Sequence, residues 1–133
     1  MSQENVDMVL AFHAAYNARE LDAAVDLCAG DVNAFPDASV FPESSSLVGR
    51  DRFRDFMEET WSAWASVAVT PNEVLDINDG RVLVRADWGG TGTGSGVEAS
   101  TNLSAIYTVR EGQLSRVEWF FDHDDALKAA GLI

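Results

Sequence analysis

The sequence predicts an α+β fold in which helices cover one face of a curved antiparallel sheet and a short helix closes the chain, and three observations carry that expectation. Apolar residues recur at helical spacing through the first thirty residues and again from Phe53 to Trp64. Beyond Pro71 the spacing changes to every second residue, interrupted by two turn signals. Helices come first and strands after, an order that suits α+β better than an alternating parallel sheet.

The elements follow in turn. From Glu4 to Ala18, the positions Val6, Val9, Leu10, His13, Tyr16 and Asn17 share one helical face that begins apolar and ends polar. Leu21, Ala24, Val25 and Cys28 repeat the spacing in a second short helix, with Gly30 as its stop. A short strand near Val32–Phe35 precedes a long loop containing two prolines and a serine run. Phe53, Phe56, Met57, Trp61 and Trp64 mark a third helix entered after Gly49. VLDINDGRVLVRADW reads as two strands joined at Asn78, Asp79 and Gly80, residues that accept positive φ. NLSAIYTV and QLSRVEWFF form a second hairpin around Arg110, Glu111 and Gly112, and DHDDALKAAGLI is a closing helix with Asp122 as N-cap and Gly131 as stop.

Composition narrows the function classes. The 133 residues, 47% of them hydrophobic, read as a single domain spanning 1–133. Twenty-two acidic against nine basic residues give a net charge of −13, which repels phosphate backbones and anionic lipid, so neither nucleic acid nor membrane is expected as a partner. Cys28, the only cysteine, excludes an internal disulfide and a multi-thiolate zinc site, and its helical position makes it a small core residue. The N-terminus carries no basic-then-apolar segment, so a cytoplasmic protein is expected.

The run DWGGTGTGSG, Asp87 to Gly96, invites comparison with a phosphate loop. Such loops need a following helix whose amides face the anion, whereas VEASTNLSAIYTV reads as strand and the run holds no lysine. Alternation instead places Val82, Val84, Ala86, Trp88 and Gly90 on one face, with Arg81, Arg85 and Asp87 opposite. A strand whose inner face shrinks from tryptophan to glycine allows bending or the close approach of another element.

In this arrangement HAAYNARELDAAVDL, LVGRDRFRDFMEE, GTGSGVE and YTVREGQLSRVEWFFDHDDALKAAGL, taken in order, resemble the SnoaL-like branch of the nuclear-transport-factor-2-like superfamily. The resemblance implies a cone with a deep apolar pocket and a homodimer formed through the outer sheet face. Its members include polyketide cyclases, ketosteroid isomerase, scytalone dehydratase and limonene-epoxide hydrolase, so the fold alone selects no reaction. The acid that cyclases carry after the last turn falls at Trp119, with Glu118 facing the other side. The isomerase positions fall at Phe12, at Pro36 beside Asp37, and near Ser104, leaving Asp37 as a candidate. The hydrolase spacing of Arg and Asp is met by Arg85 and Asp87, on the face opposite Trp88.

The catalytic candidates are therefore His13, Tyr16 and Asp37. Phe12, Asn33, Phe35, Trp61, Trp64, Trp88, Tyr107 and Trp119 are the candidate pocket residues. His123 sits among Asp122, Asp124 and Asp125, where capping outweighs metal binding, and neither a metal nor another cofactor is expected. Two readings stand: binding of a small apolar or aromatic molecule, or proton-transfer catalysis of the cyclase, isomerase or hydrolase type. A non-catalytic dimerisation module is a third.

Overall fold

A computed structural model describes residues 2–37 and 46–133. The order is α1 (Ser2–Asn17), α2 (Leu21–Asp26), β1 (Cys28–Phe35), β2 (Leu47–Val48), α3 (Arg50–Ser62), β3 (Trp64–Asp76), β4 (Arg81–Gly92), β5 (Glu98–Arg110), β6 (Gln113–Phe120) and α4 (His123–Ala130). The loop expected after Phe35 falls largely at 38–45, outside the described residues.

The six strands form one curved, unclosed sheet in the order β2-β1-β6-β5-β4-β3. Neighbours pair antiparallel except β1 and β6, which run parallel, so the sheet is mixed where pure antiparallel pairing was expected. The physical reason is topological: β1 precedes three helical turns of chain and three long strands, and reaches β6 by a crossover that no hairpin could make.

Alternation along the strands builds the core. Val82, Val84, Ala86, Tyr107 and Val117 are buried on the concave face, where they pack against Val9, Phe12, Phe53 and Met57 of α1 and α3. Leu10, placed on the α1 stripe by spacing, is 40% exposed, and the stripe centres on Val9, Phe12 and His13. Leu83 and Ile106 have the opposite parity and are equally buried, because Ala126 and Ala130 of α4 cover them on the convex side. The closing helix thus lies on the other face from α1–α3. Asp122 caps it by accepting from the Asp124 and Asp125 amides at 2.8 and 3.4 Å, and Gly131 ends it in the left-handed region at φ 78°.

Two elements begin elsewhere than their spacing indicates. Cys28 opens β1 instead of closing α2, and Gly30 lies inside that strand. Pairing with Leu114 and two hydrogen bonds from the Arg50 guanidinium to the Cys28 carbonyl, at 2.9 and 2.5 Å, hold the backbone extended there. Trp64 continues the helical stripe in register yet starts β3, since α3 ends at Ser62. β3 then runs through Pro71, which an edge strand beside a bulge tolerates because its missing N–H faces no partner. On the open side of that edge the Asn17 side chain donates to the Val69 carbonyl at 3.0 Å and accepts from the Val69 amide at 2.8 Å, tying α1 to the sheet.

The glycine run lies in β4 and the turn after it, and no helix follows. Trp64 of β3 and Trp88 of β4 meet edge to face at 4.9 Å between ring centroids. A Cβ on Gly90 would come within 2.9 Å of Trp88 Cη2 and 3.0 Å of Trp64 Cε3. The residue is glycine because two indoles occupy the space a side chain would take.

Candidate functional site

A cavity of about 90 Å³ lies between the helices and the concave face of the sheet. The inner stripe of α1 contributes Phe12, His13 and Tyr16 to its wall, and α3 contributes Phe56, Met57 and Thr60. Inward-facing strand positions supply Val69, Trp88, Leu103, Tyr107 and Trp119, and Pro36 and Phe121 close the ends of β1 and β6. Seven of these are Phe, Tyr or Trp, and none of the described lining residues is an acid, a lysine or an arginine.

One polar cluster is built into this wall. Tyr107 Oη and His13 Nε2 are 2.8 Å apart and both residues are buried. Burial lowers the His13 pKa to about 4, and a hydrogen bond to the Val69 backbone opposes the shift in part. The imidazole is therefore neutral at pH 7, and its Nε2 shares one hydrogen bond with the Tyr107 hydroxyl, whose direction follows the ring's tautomer. Burial raises the Tyr107 pKa above the usual phenol range, while hydrogen bonding from Trp119 works in the opposite direction. Tyr107 and His13 thus form an uncharged hydrogen-bonded pair in the wall, with Trp119 and the Val69 backbone beside it.

Tyr16 differs from its neighbours. Burial pushes its pKa up to about 12, so it is a neutral donor at any physiological pH. Its carbonyl accepts from the Trp61 indole at 3.1 Å, and the Trp61 ring stands 6.1 Å from its own. Arg19 lies over the far side of Trp61 and pairs with Glu58, so Trp61 braces Tyr16 from outside the cavity.

The remaining sequence candidates stand elsewhere. Asp37 accepts from the Phe121 amide at 2.7 Å, fastening the end of β1 to the chain beyond β6 rather than lining the cavity. Asn33 and Phe35 are also absent from the wall. They pair with Arg116 and Glu118, which lie on the convex side, and Arg116 sits over the Phe35 ring at 4.2 Å. Trp64 supports Trp88 from behind, and Trp61 supports Tyr16. Phe12, His13, Tyr16, Trp88, Tyr107 and Trp119 are the candidates brought together around one space. Spacing passed over Phe56, Met57 and Thr60, although their positions on α3 share the face of Phe53, and Val69 and Leu103, whose strand alternation points inward.

Arg85 and Asp87 are exposed on the convex face. Ser104, on the same face, is buried and pairs with His123 Nδ1 at 2.7 Å, which pins the first turn of α4 to β5. Among the described residues no group of three or more His, Cys, Asp or Glu side chains is arranged to hold a metal, and no helix is long and apolar enough to cross a membrane.

Solved structures share this architecture. TerC, crystallised with polyporic acid, matches with a TM-score of 0.78 at 18% identity, over 96% of this chain and 98% of its own. A candidate SnoaL-like polyketide cyclase from Jannaschia sp. CCS1 matches at 0.79 and 15% identity, over 99% and 94%. A protein with a ketosteroid isomerase-like fold from Catenulispora acidiphila, in complex with trimethylamine, matches at 0.75 and 18% identity, over 95% and 93%. At these identities the likeness is one of fold. No curated protein matches significantly. Residues 9–117 match the model of the SnoaL-like domain, and the chain belongs to that family.

Proposed function

We propose that this protein binds a small apolar or aromatic molecule in the cavity between α1, α3 and the sheet. The observation that carries the reading is a wall of aromatic rings with no charged side chain among its described residues. Such a space favours apolar surface and penalises an unpaired charge. Its volume of about 90 Å³ is smaller than the roughly 150 Å³ of an apolar cavity that holds benzene, which limits the occupant to a single ring. TerC and the Catenulispora protein, which share the fold, were each crystallised with a small organic molecule.

Proton-transfer chemistry is a second reading, favoured by the presence of His13 and Tyr16 in the same wall. A base with a pKa near 4 is poorly matched to abstracting a carbon-bound proton at neutral pH, which ranks this reading below binding. A thermal-shift screen of one-ring compounds against wild type and Trp88→Ala tests the first reading. Stabilisation of wild type that the variant loses supports it, and no stabilisation by any compound sinks it.

We further propose a symmetric homodimer through the convex face, supported by Arg85 and Asp87 exposed two residues apart on one strand. A two-fold axis near them lets each Arg85 meet the other copy's Asp87. Sedimentation equilibrium of wild type and Arg85→Glu checks this, and a wild-type monomer at high micromolar concentration contradicts it.

A further inference from the structure

The polar inventory of the cavity wall is uneven. It holds three hydroxyls, on Tyr16, Thr60 and Tyr107, and one imidazole, on His13. Thr60 donates to the Phe56 carbonyl at 2.9 Å inside its own helix. Tyr107 shares a 2.8 Å hydrogen bond with His13, and Trp119 stands beside its hydroxyl. His13 is occupied by Tyr107 on one nitrogen and by the Val69 backbone. The Tyr16 hydroxyl alone makes no side-chain hydrogen bond among the described residues. It shares the cavity wall with Tyr107 and His13, which puts it beside that hydrogen-bonded pair and at the same space. Tyr16 is half-buried, and its hydroxyl, engaged by no protein group, keeps its proton and lone pairs open to water or to a group that enters the cavity.

Resting on the reading of this cavity as a ligand site, we propose that the Tyr16 hydroxyl is its hydroxyl anchor, and that the occupant is an uncharged one-ring molecule bearing one hydrogen-bonding oxygen, such as a phenol, aryl ketone or cyclic alcohol. The anchor is Tyr16 because each of the other lining hydroxyls and the imidazole already makes a hydrogen bond within the protein. The occupant is uncharged because no described lining side chain can compensate an ion of either sign. The Tyr107–His13 pair forms the wall behind the ligand and makes no contact of its own with the ligand's oxygen.

Four probes separate these claims: toluene, 4-methylphenol, 4-methylbenzoate and tetramethylammonium, titrated at pH 7 against wild type and Tyr16→Phe by tryptophan fluorescence and calorimetry. On wild type, 4-methylphenol binds about fivefold tighter than toluene, the value of one neutral hydrogen bond. 4-Methylbenzoate, of similar shape but charged, binds weaker than 4-methylphenol by roughly a hundredfold or more. Tyr16→Phe keeps the wild-type Tm, since no partner within the protein is lost, binds toluene as before, and binds 4-methylphenol no better than toluene. An unchanged 4-methylphenol preference in Tyr16→Phe overturns the anchor. Equal binding of toluene and 4-methylphenol to wild type does the same while leaving the ligand site standing, and needs no variant. Tight binding of 4-methylbenzoate or tetramethylammonium overturns the uncharged occupant. Failure of all four probes on wild type removes the ligand-site reading itself, and the inference with it.

Discussion

Replacing His13 with glutamine tests the electrostatics of the cavity wall through stability alone. The imidazole is 5% exposed, and burial brings its pKa from 6.5 to about 4. The unfolded chain takes up this proton below about pH 6.5, while the folded protein resists until about pH 4. The unfolded state therefore binds more protons in that window, and stability falls as pH is lowered through it. At about 1.4 kcal/mol per pH unit, the lowering to about 4 corresponds to about 3 kcal/mol between pH 7 and pH 4. Carboxylates titrate in the lower part of the window, and acidification relieves the repulsion of a −13 chain, but both effects act on wild type and variant alike. His13→Gln keeps an acceptor for Tyr107 and removes the titration. Urea unfolding followed by tryptophan fluorescence, repeated from pH 7.5 to pH 4, gives the two stability profiles. Wild type loses about 3 kcal/mol more than the variant over this range. Parallel profiles would refute the neutral, buried imidazole.

Other consequences are as direct. Gly90→Ala presses a methyl group against Trp64 and Trp88 and costs about 1–3 kcal/mol, with a changed near-UV circular dichroism band. Gly89→Ala, whose Cβ would meet nothing closer than the Ala99 carbonyl oxygen at 4.0 Å, is the control and should be far milder. Burial raises the Cys28 thiol pKa to about 12 despite the opposing charge of Arg50, so a disulfide reagent at pH 8 labels it only on unfolding, and rapid labelling of the native protein would contradict this. Ser104→Ala removes the partner of His123 Nδ1 and costs about 0.5–1.5 kcal/mol. Hydrogen exchange should then speed up in α4 ahead of the core strands, and uniform protection would argue against the pin.

Local chemistry fixed what local chemistry controls. The Asn78–Gly80 and Arg110–Gly112 turns, the Asp122 cap and the Gly131 stop each depend on residues within one turn, and each is found where its residue types place it. The parity of β4 also held, because alternation needs no knowledge of a partner: Val82, Val84, Ala86 and Trp88 share the concave side. Long-range facts were not legible. Phe35 has the aromatic character of a pocket residue, but β1 enters the sheet parallel to β6 after a register shift between Cys28 and Asn33, and that pairing turns Phe35 outward under Arg116. Trp64 kept the helical period by coincidence after α3 had ended. The candidate site was legible through the polar end of the α1 stripe, which brought out His13 and Tyr16. The bond from Tyr107 to His13 joins residues far apart in sequence, and no local pattern announces it.

The most direct test of the account is a crystal structure of the protein soaked with 4-methylphenol. The account places the ring between Phe12, Trp88 and Trp119 with its oxygen on the Tyr16 hydroxyl, and leaves the Tyr107–His13 bond intact. A ligand bound outside this cavity, or one whose oxygen displaces the Tyr107–His13 bond while ignoring Tyr16, would contradict it.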